Sequence, residues 1–129
     1  MKVLQRGWRS RARKLAPHLL RDSYRLATDD DVLLVDWVNR GPVRENWGDA
    51  IAPVIAGRLS GRPVVNRRDT INIRGRTLYT TIGSMFGTVD VDGFEVWGTG
   101  FVDSRAELAA RPGRIHAVRG PLTYRKLRD

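Results

Sequence analysis

The stretch "DVLLVDWVNRGPVRENWGDAIAPVIAGRLSG", residues 31–61, carries the reading of the fold. Its first eight residues form a near-continuous apolar run rich in β-branched side chains, the pattern of a strand covered on both faces and hence of a parallel strand. Turn residues follow. Then Ala50, Ile51, Val54, Ile55 and Leu59 recur at helical spacing, and Gly61 stands where a helix would stop. Pro53 fits only a first turn, which predicts a helix beginning near Gly48 or Asp49.

Toward the C-terminus, "PVVN" (63–66), "LYTTIG" (78–83), "FEVWG" (94–98) and "RIHAV" (114–118) predict four more strands. "SRAELAAR" (104–111) predicts a short helix, and Pro121 suits the first turn of another. Strands alternating with helices predict an α/β fold with a parallel sheet flanked by helices. Asn46 to Asp49, Gly83-Ser84, Gly98-Thr99-Gly100 and Arg119-Gly120 each follow a predicted strand, so all four turns fall at the sheet's carboxyl edge. Open α/β sheets bind their ligands at that edge.

Toward the N-terminus the composition changes. The formal net charge is +9, yet residues 1–28 hold eight Lys or Arg against one acid, and the chain from Asp29 onward carries a surplus of only two. This predicts a basic helical arm over 1–28, interrupted near Pro17, joined to an α/β domain over 29–129. Trp8, Leu15, Leu19 and Leu20 supply the arm with an apolar side. Such an arm either lies solvated with a few leucines packed on the domain or rests on anionic lipid. No apolar run approaches the roughly 20 residues that span a bilayer, and no signal-peptide core follows the basic start. The absence of cysteine excludes disulfides, thiolate-bound zinc and a cysteine nucleophile, and fits a cytoplasmic setting. With only His18 and His116, a histidine metal site is not expected.

The turns carry the chemistry. Asp49 can cap the helix and Gly48 permits a close approach. Asn46 and Trp47 read either as a turn former and a core residue or as a seat for a sugar or an anion beside a helix N-terminus. "IGSMFG" and "WGTGF" lack the lysine of a Walker loop, but Ser84, Thr99 and the amides around Gly98 and Gly100 can donate to a ligand oxygen. Arg119 at a strand end, followed by a helix start, aims five donors and a helix dipole at one point, where Thr123 adds a hydroxyl. That point suits an anion; the alternative is local pairing of Arg119. His116 reads as a structural histidine.

In order, "NWGDAIAPVIAGRLSG", "YTTIGSMFG", "VWGTGF" and "AVRGPLTYRKL" resemble the N-terminal half of polysaccharide pyruvyl transferases, especially those of bacterial exopolysaccharide biosynthesis. The likeness runs from about Asn46 to Leu127. It implies a Rossmann-like domain, one of two facing a cleft as in GT-B glycosyltransferases, with the second domain absent here or supplied by another chain. It implies phosphoenolpyruvate as donor, no separate cofactor, and a saccharide acceptor, free or lipid-linked, that receives pyruvate as a ketal at the inner face of the membrane. Arg119 matches the arginine thought to hold the donor's anionic groups; Asn46, Gly48 and Asp49 match the first cleft motif, and Gly83, Ser84, Gly98 and Gly100 the later loops. The family's donor-binding histidine matches neither histidine here, so no catalytic acid or base is assigned. Two other readings stand beside this one: a basic non-catalytic domain binding nucleic acid or an anionic surface, and a nucleotide-sugar-binding glycosyltransferase-like domain. Confinement of the positive surplus to the arm argues against specific nucleic-acid binding.

Overall fold

In a computed structural model of the chain, residues 17–38, 47–71, 73 and 75–129 are described. The expected parallel sheet is present: β1 (Leu33–Val35), β2 (Val64–Asn66), β3 (Leu78–Thr80), β4 (Glu95–Trp97) and β5 (Arg114–Ala117) lie in the order β2-β1-β3-β4-β5, every neighbouring pair parallel. Helix α1 covers residues 17–28, α2 runs Trp47–Ser60 and α3 runs Pro121–Arg128. The five apolar runs therefore became the five strands. Gly61 ends α2 with φ +69, a conformation that favours glycine. Pro121 occupies the first turn of α3, where its missing N–H costs nothing.

Register sorts the side chains onto two faces. Leu34 pairs with Val65 and Leu78, and Val96 with Thr80 and Ile115, so these residues share one face. On that face Leu34, Val65, Leu78 and Val96 join Met85, Phe86, Val89, Phe94 and Phe101 in the core. Phe86 stands between Phe94 and Phe101, with ring centroids 6.3 and 5.0 Å away and tilted geometry, which suits the ring quadrupoles. Leu26 of α1 enters the same core, and Ser23 accepts a hydrogen bond from the Ile71 amide at 3.0 Å. Leu20, expected on the arm's apolar side, is exposed; Trp8 and Leu15 lie outside the described residues. Helix α2 covers the opposite face at β2 and β1: Ala52 and Ala56, one turn apart, are buried, and Gly57 lies against Val64.

One predicted helix is corrected. Residues 104–111 form no helix, although "SRAELAAR" has the composition of one. Asp103 Oδ1 accepts from the amides of Arg105 and Ala106, while the amide of Ala109 donates to the Phe86 carbonyl and that of Arg111 to Asp92 Oδ1 at 2.7 Å. The Asp103 bonds are those of a helix N-cap, but the long-range bonds of Ala109 and Arg111 take donors that a helical ladder would use. The segment instead lies over the phenylalanine cluster, with Ala106 and Ala110 packed against it.

Candidate functional site

The strand order creates the site. From β1 the chain crosses to β2 on one side, and then returns past β1 to place β3 on the other. The two crossovers leave in opposite directions, so a crevice opens beyond the carboxyl ends of β1 and β3. A cavity of about 350 Å³ occupies that place, lined among others by Val38 after β1, Gly48 and Asp49 of α2, Gly83 and Ser84 after β3, and Arg119 after β5.

Hydrogen bonds hold three of the turns together. The Gly100 amide donates to the Gly83 carbonyl at 3.1 Å, and the Arg119 amide to the Thr99 carbonyl at 3.1 Å. Thr99 Oγ1 donates to the Gly83 carbonyl at 3.0 Å and accepts from the Met85 amide at 2.9 Å. The Arg119 guanidinium then spans the rim, one nitrogen donating to Ser84 Oγ and the other to the Phe101 carbonyl. Two of its five donors are fixed in this way, which sets the plane of the group while leaving further N–H bonds to offer. On its far side lies a larger cavity of about 720 Å³, bordered by Ser104, Thr123, Arg125 and Lys126. Arg119 is thus a wall between two hollows. The described residues of the four turns flagged in the sequence meet at one rim.

Their roles differ from the expectation in several places. Thr99 was expected to meet a ligand; its hydroxyl is fully buried, with both bonds inside the protein, and it fastens the Gly83 turn to the Gly98–Gly100 turn. Gly98 and Gly100 serve packing. A Cβ on Gly98 would stand 2.7 Å from the Thr81 carbonyl oxygen, and one on Gly100 2.7 Å from Thr123 Oγ1 and 3.1 Å from Arg119 Cβ. Glycine at position 100 is what lets the arginine lie across the turn. Thr123 is buried, borders the larger cavity, and its hydroxyl accepts from the Phe101 amide at 3.4 Å.

Helix α2 begins at Trp47, so Asp49 sits in its first turn rather than at the cap. A carboxylate there is favoured by the helix dipole. Asn46 lies outside the described residues. Trp47 is 73% exposed at the start of α2, which sets aside the core alternative. His116 has local partners: its Nε2 is 2.8 Å from Glu95 Oε2, and the ring stacks on Trp97 at 4.0 Å.

Sequence reasoning passed over a second set of polar residues on this rim. Asp36, buried at the end of β1, accepts from Arg68 Nε at 2.7 Å, and Arg68 reaches Thr88 Oγ1, on the cavity wall, at 3.4 Å. Asn66 closes β2, donating to the Trp37 carbonyl at 3.0 Å and accepting from the Arg68 amide at 3.0 Å. An aspartate ending an apolar run, in "LLVDW", was the available signal. Among the described residues no helix is long and apolar enough to cross a membrane. Compared with known families and proteins, the chain matches no family model, no curated protein and no solved structure.

Proposed function

We propose that the chain is a donor-binding domain of polysaccharide pyruvyl transferase type, holding phosphoenolpyruvate in the crevice between β1 and β3 for transfer to saccharide hydroxyls. The observation that carries this reading is the position of Arg119, pinned between two turns on the wall of a cavity at the switch point of a parallel sheet. A carboxylate or phosphate entering there meets a guanidinium whose orientation is already set, and charge-assisted bonds of this sort are about twice as strong as neutral ones. The larger cavity beyond Arg119, of about 720 Å³, has room for a saccharide acceptor, free or lipid-linked, and this supports the reading. As the acceptor hydroxyl attacks, charge develops on the donor, and a fixed cation stabilises it without reorganising. A second α/β domain in another chain would close the crevice, and the basic residues of 1–28 would hold the protein at an anionic membrane surface.

The test is calorimetry of phosphoenolpyruvate binding to the wild type and to Arg119→Ala, after circular dichroism shows equal folding. Loss of a charge-assisted pair worth about 1.5–3 kcal/mol weakens binding roughly 10- to 100-fold. Equal affinity in the two proteins removes Arg119 from the donor site. Preferential displacement of phosphoenolpyruvate by a nucleotide-sugar would favour the glycosyltransferase-like reading instead.

A further inference from the structure

We infer that Asp49 is the proton carrier of this cleft, an assignment that rests on the donor reading above. Among the described residues lining the small cavity, Asp49 carries the one carboxylate; the others are apolar residues, glycines, two hydroxyls and Arg119, which stays charged. Neither histidine is placed for the task. His116 is held by Glu95 and Trp97, and His18 lies on α1, outside the cavity lining.

The geometry brings the acidic and basic poles to opposite sides of one turn. A Cβ on Gly83 would stand 3.4 Å from Asp49 Oδ1, so the carboxylate lies against the Gly83-Ser84 turn, and Ser84 in turn accepts from Arg119. Asp49 is 7% exposed, with water largely excluded around it. A carboxylate in the wall of an anion site works against donor binding. The dipole of α2 favours an acid in its first turn, and a proton-transfer role accounts for its facing the cavity.

The step balances with Asp49 alone. The first acceptor hydroxyl forms a bond from its oxygen to the donor's central carbon, and its proton passes to the Asp49 carboxylate. The π pair of the donor's double bond takes a proton from Asp49 at the methylene carbon, which becomes a methyl group. The second hydroxyl then bonds to the same carbon while phosphate leaves with the electron pair of its C–O bond and takes up the second proton. The products are a pyruvate ketal and inorganic phosphate, and Asp49 ends as it began.

The test uses the 129-residue chain. Phosphoenolpyruvate binding is measured by calorimetry, and exchange of the donor's methylene hydrogens for deuterium is followed by NMR in heavy water with methyl hexopyranosides as acceptor probes. In Asp49→Asn, and in Asp49→Ser should the first variant not fold, exchange falls about 10²- to 10⁴-fold, the usual contribution of a general acid-base. Donor affinity in the same variants rises about threefold to tenfold, because a like charge is gone. A residue of purely structural importance would weaken binding on removal. Asp49→Glu restores part of the exchange. Wild-type exchange in the neutral variants, weaker donor binding in them, or a wild type that binds donor without exchanging it each overturns the assignment of Asp49. A wild type that binds no phosphoenolpyruvate overturns the donor reading itself, and this assignment with it.

Discussion

At Arg119, the side chain's usefulness depends on neighbours that are themselves unremarkable in the sequence. Ser84 and the Phe101 carbonyl fix the guanidinium, and Gly100 leaves the space it crosses. Gly100→Ala is therefore expected to move Arg119: its methyl would lie well inside contact distance of Thr123 and Arg119, at a cost of about 1–3 kcal/mol for overpacking. Thermal denaturation and phosphoenolpyruvate calorimetry check this together, and the affinity should fall further than the stability loss alone explains. The residue scale also shows what a sequence conceals. Arg119 could be flagged because a charged residue just past a strand is unusual wherever it falls, and Asp49 because an acid before an apolar helical pattern marks a helix start. The task of Thr99 could not, because which oxygen a hydroxyl meets is settled by turns 16 residues apart in the chain.

The strands were legible as elements from their apolar runs, although the runs overshoot the strands, as 31–38 does Leu33–Val35, and β5 is exposed along its length. Helix α2 was legible from its periodicity and from Gly61, but among the described residues it runs from Trp47, which puts Pro53 inside the helix and not in the first turn expected for it. Residues 104–111 misled because alanine, glutamate and leucine favour a helix wherever no tertiary bond competes, and here the Phe86 carbonyl and Asp92 compete. The same reasoning locates a fastener between elements. Arg68, following β2, reaches Asp36 at the end of β1; the carboxylate is 4% exposed and the guanidinium 33%. Arg68→Ala leaves a buried charge uncompensated. A loss of about 2–3 kcal/mol is expected, at the low end for a buried pair because Arg68 is partly solvated. Urea denaturation measures it, and replacing both partners, Asp36→Asn with Arg68→Ala, should recover part of the loss.

For the whole molecule, the net charge of +9 is a weaker guide than the sheet. Several arginines of the folded part act as internal ties: Arg76 bonds the Val32 carbonyl at 2.6 Å and Arg62 the Asp31 carbonyl at 2.6 Å, both at the edge opposite the crevice. Topology supplies the stronger argument, since a parallel sheet sends every strand's following turn to the same rim, and reversal of direction at β1 opens that rim at one place. Parallel strands were readable from the chain, whereas the order β2-β1-β3-β4-β5 was not, because nothing local specifies which side of β1 the chain returns to. The most direct measurement of the central claim is a titration of the isotope-labelled chain with phosphoenolpyruvate, followed by amide and guanidinium NMR shifts. The account predicts saturable changes concentrated at Gly48, Asp49, Gly83, Ser84 and the Arg119 side chain; changes confined to Arg62 and Arg76 at the opposite edge, or to the basic arm, would contradict it.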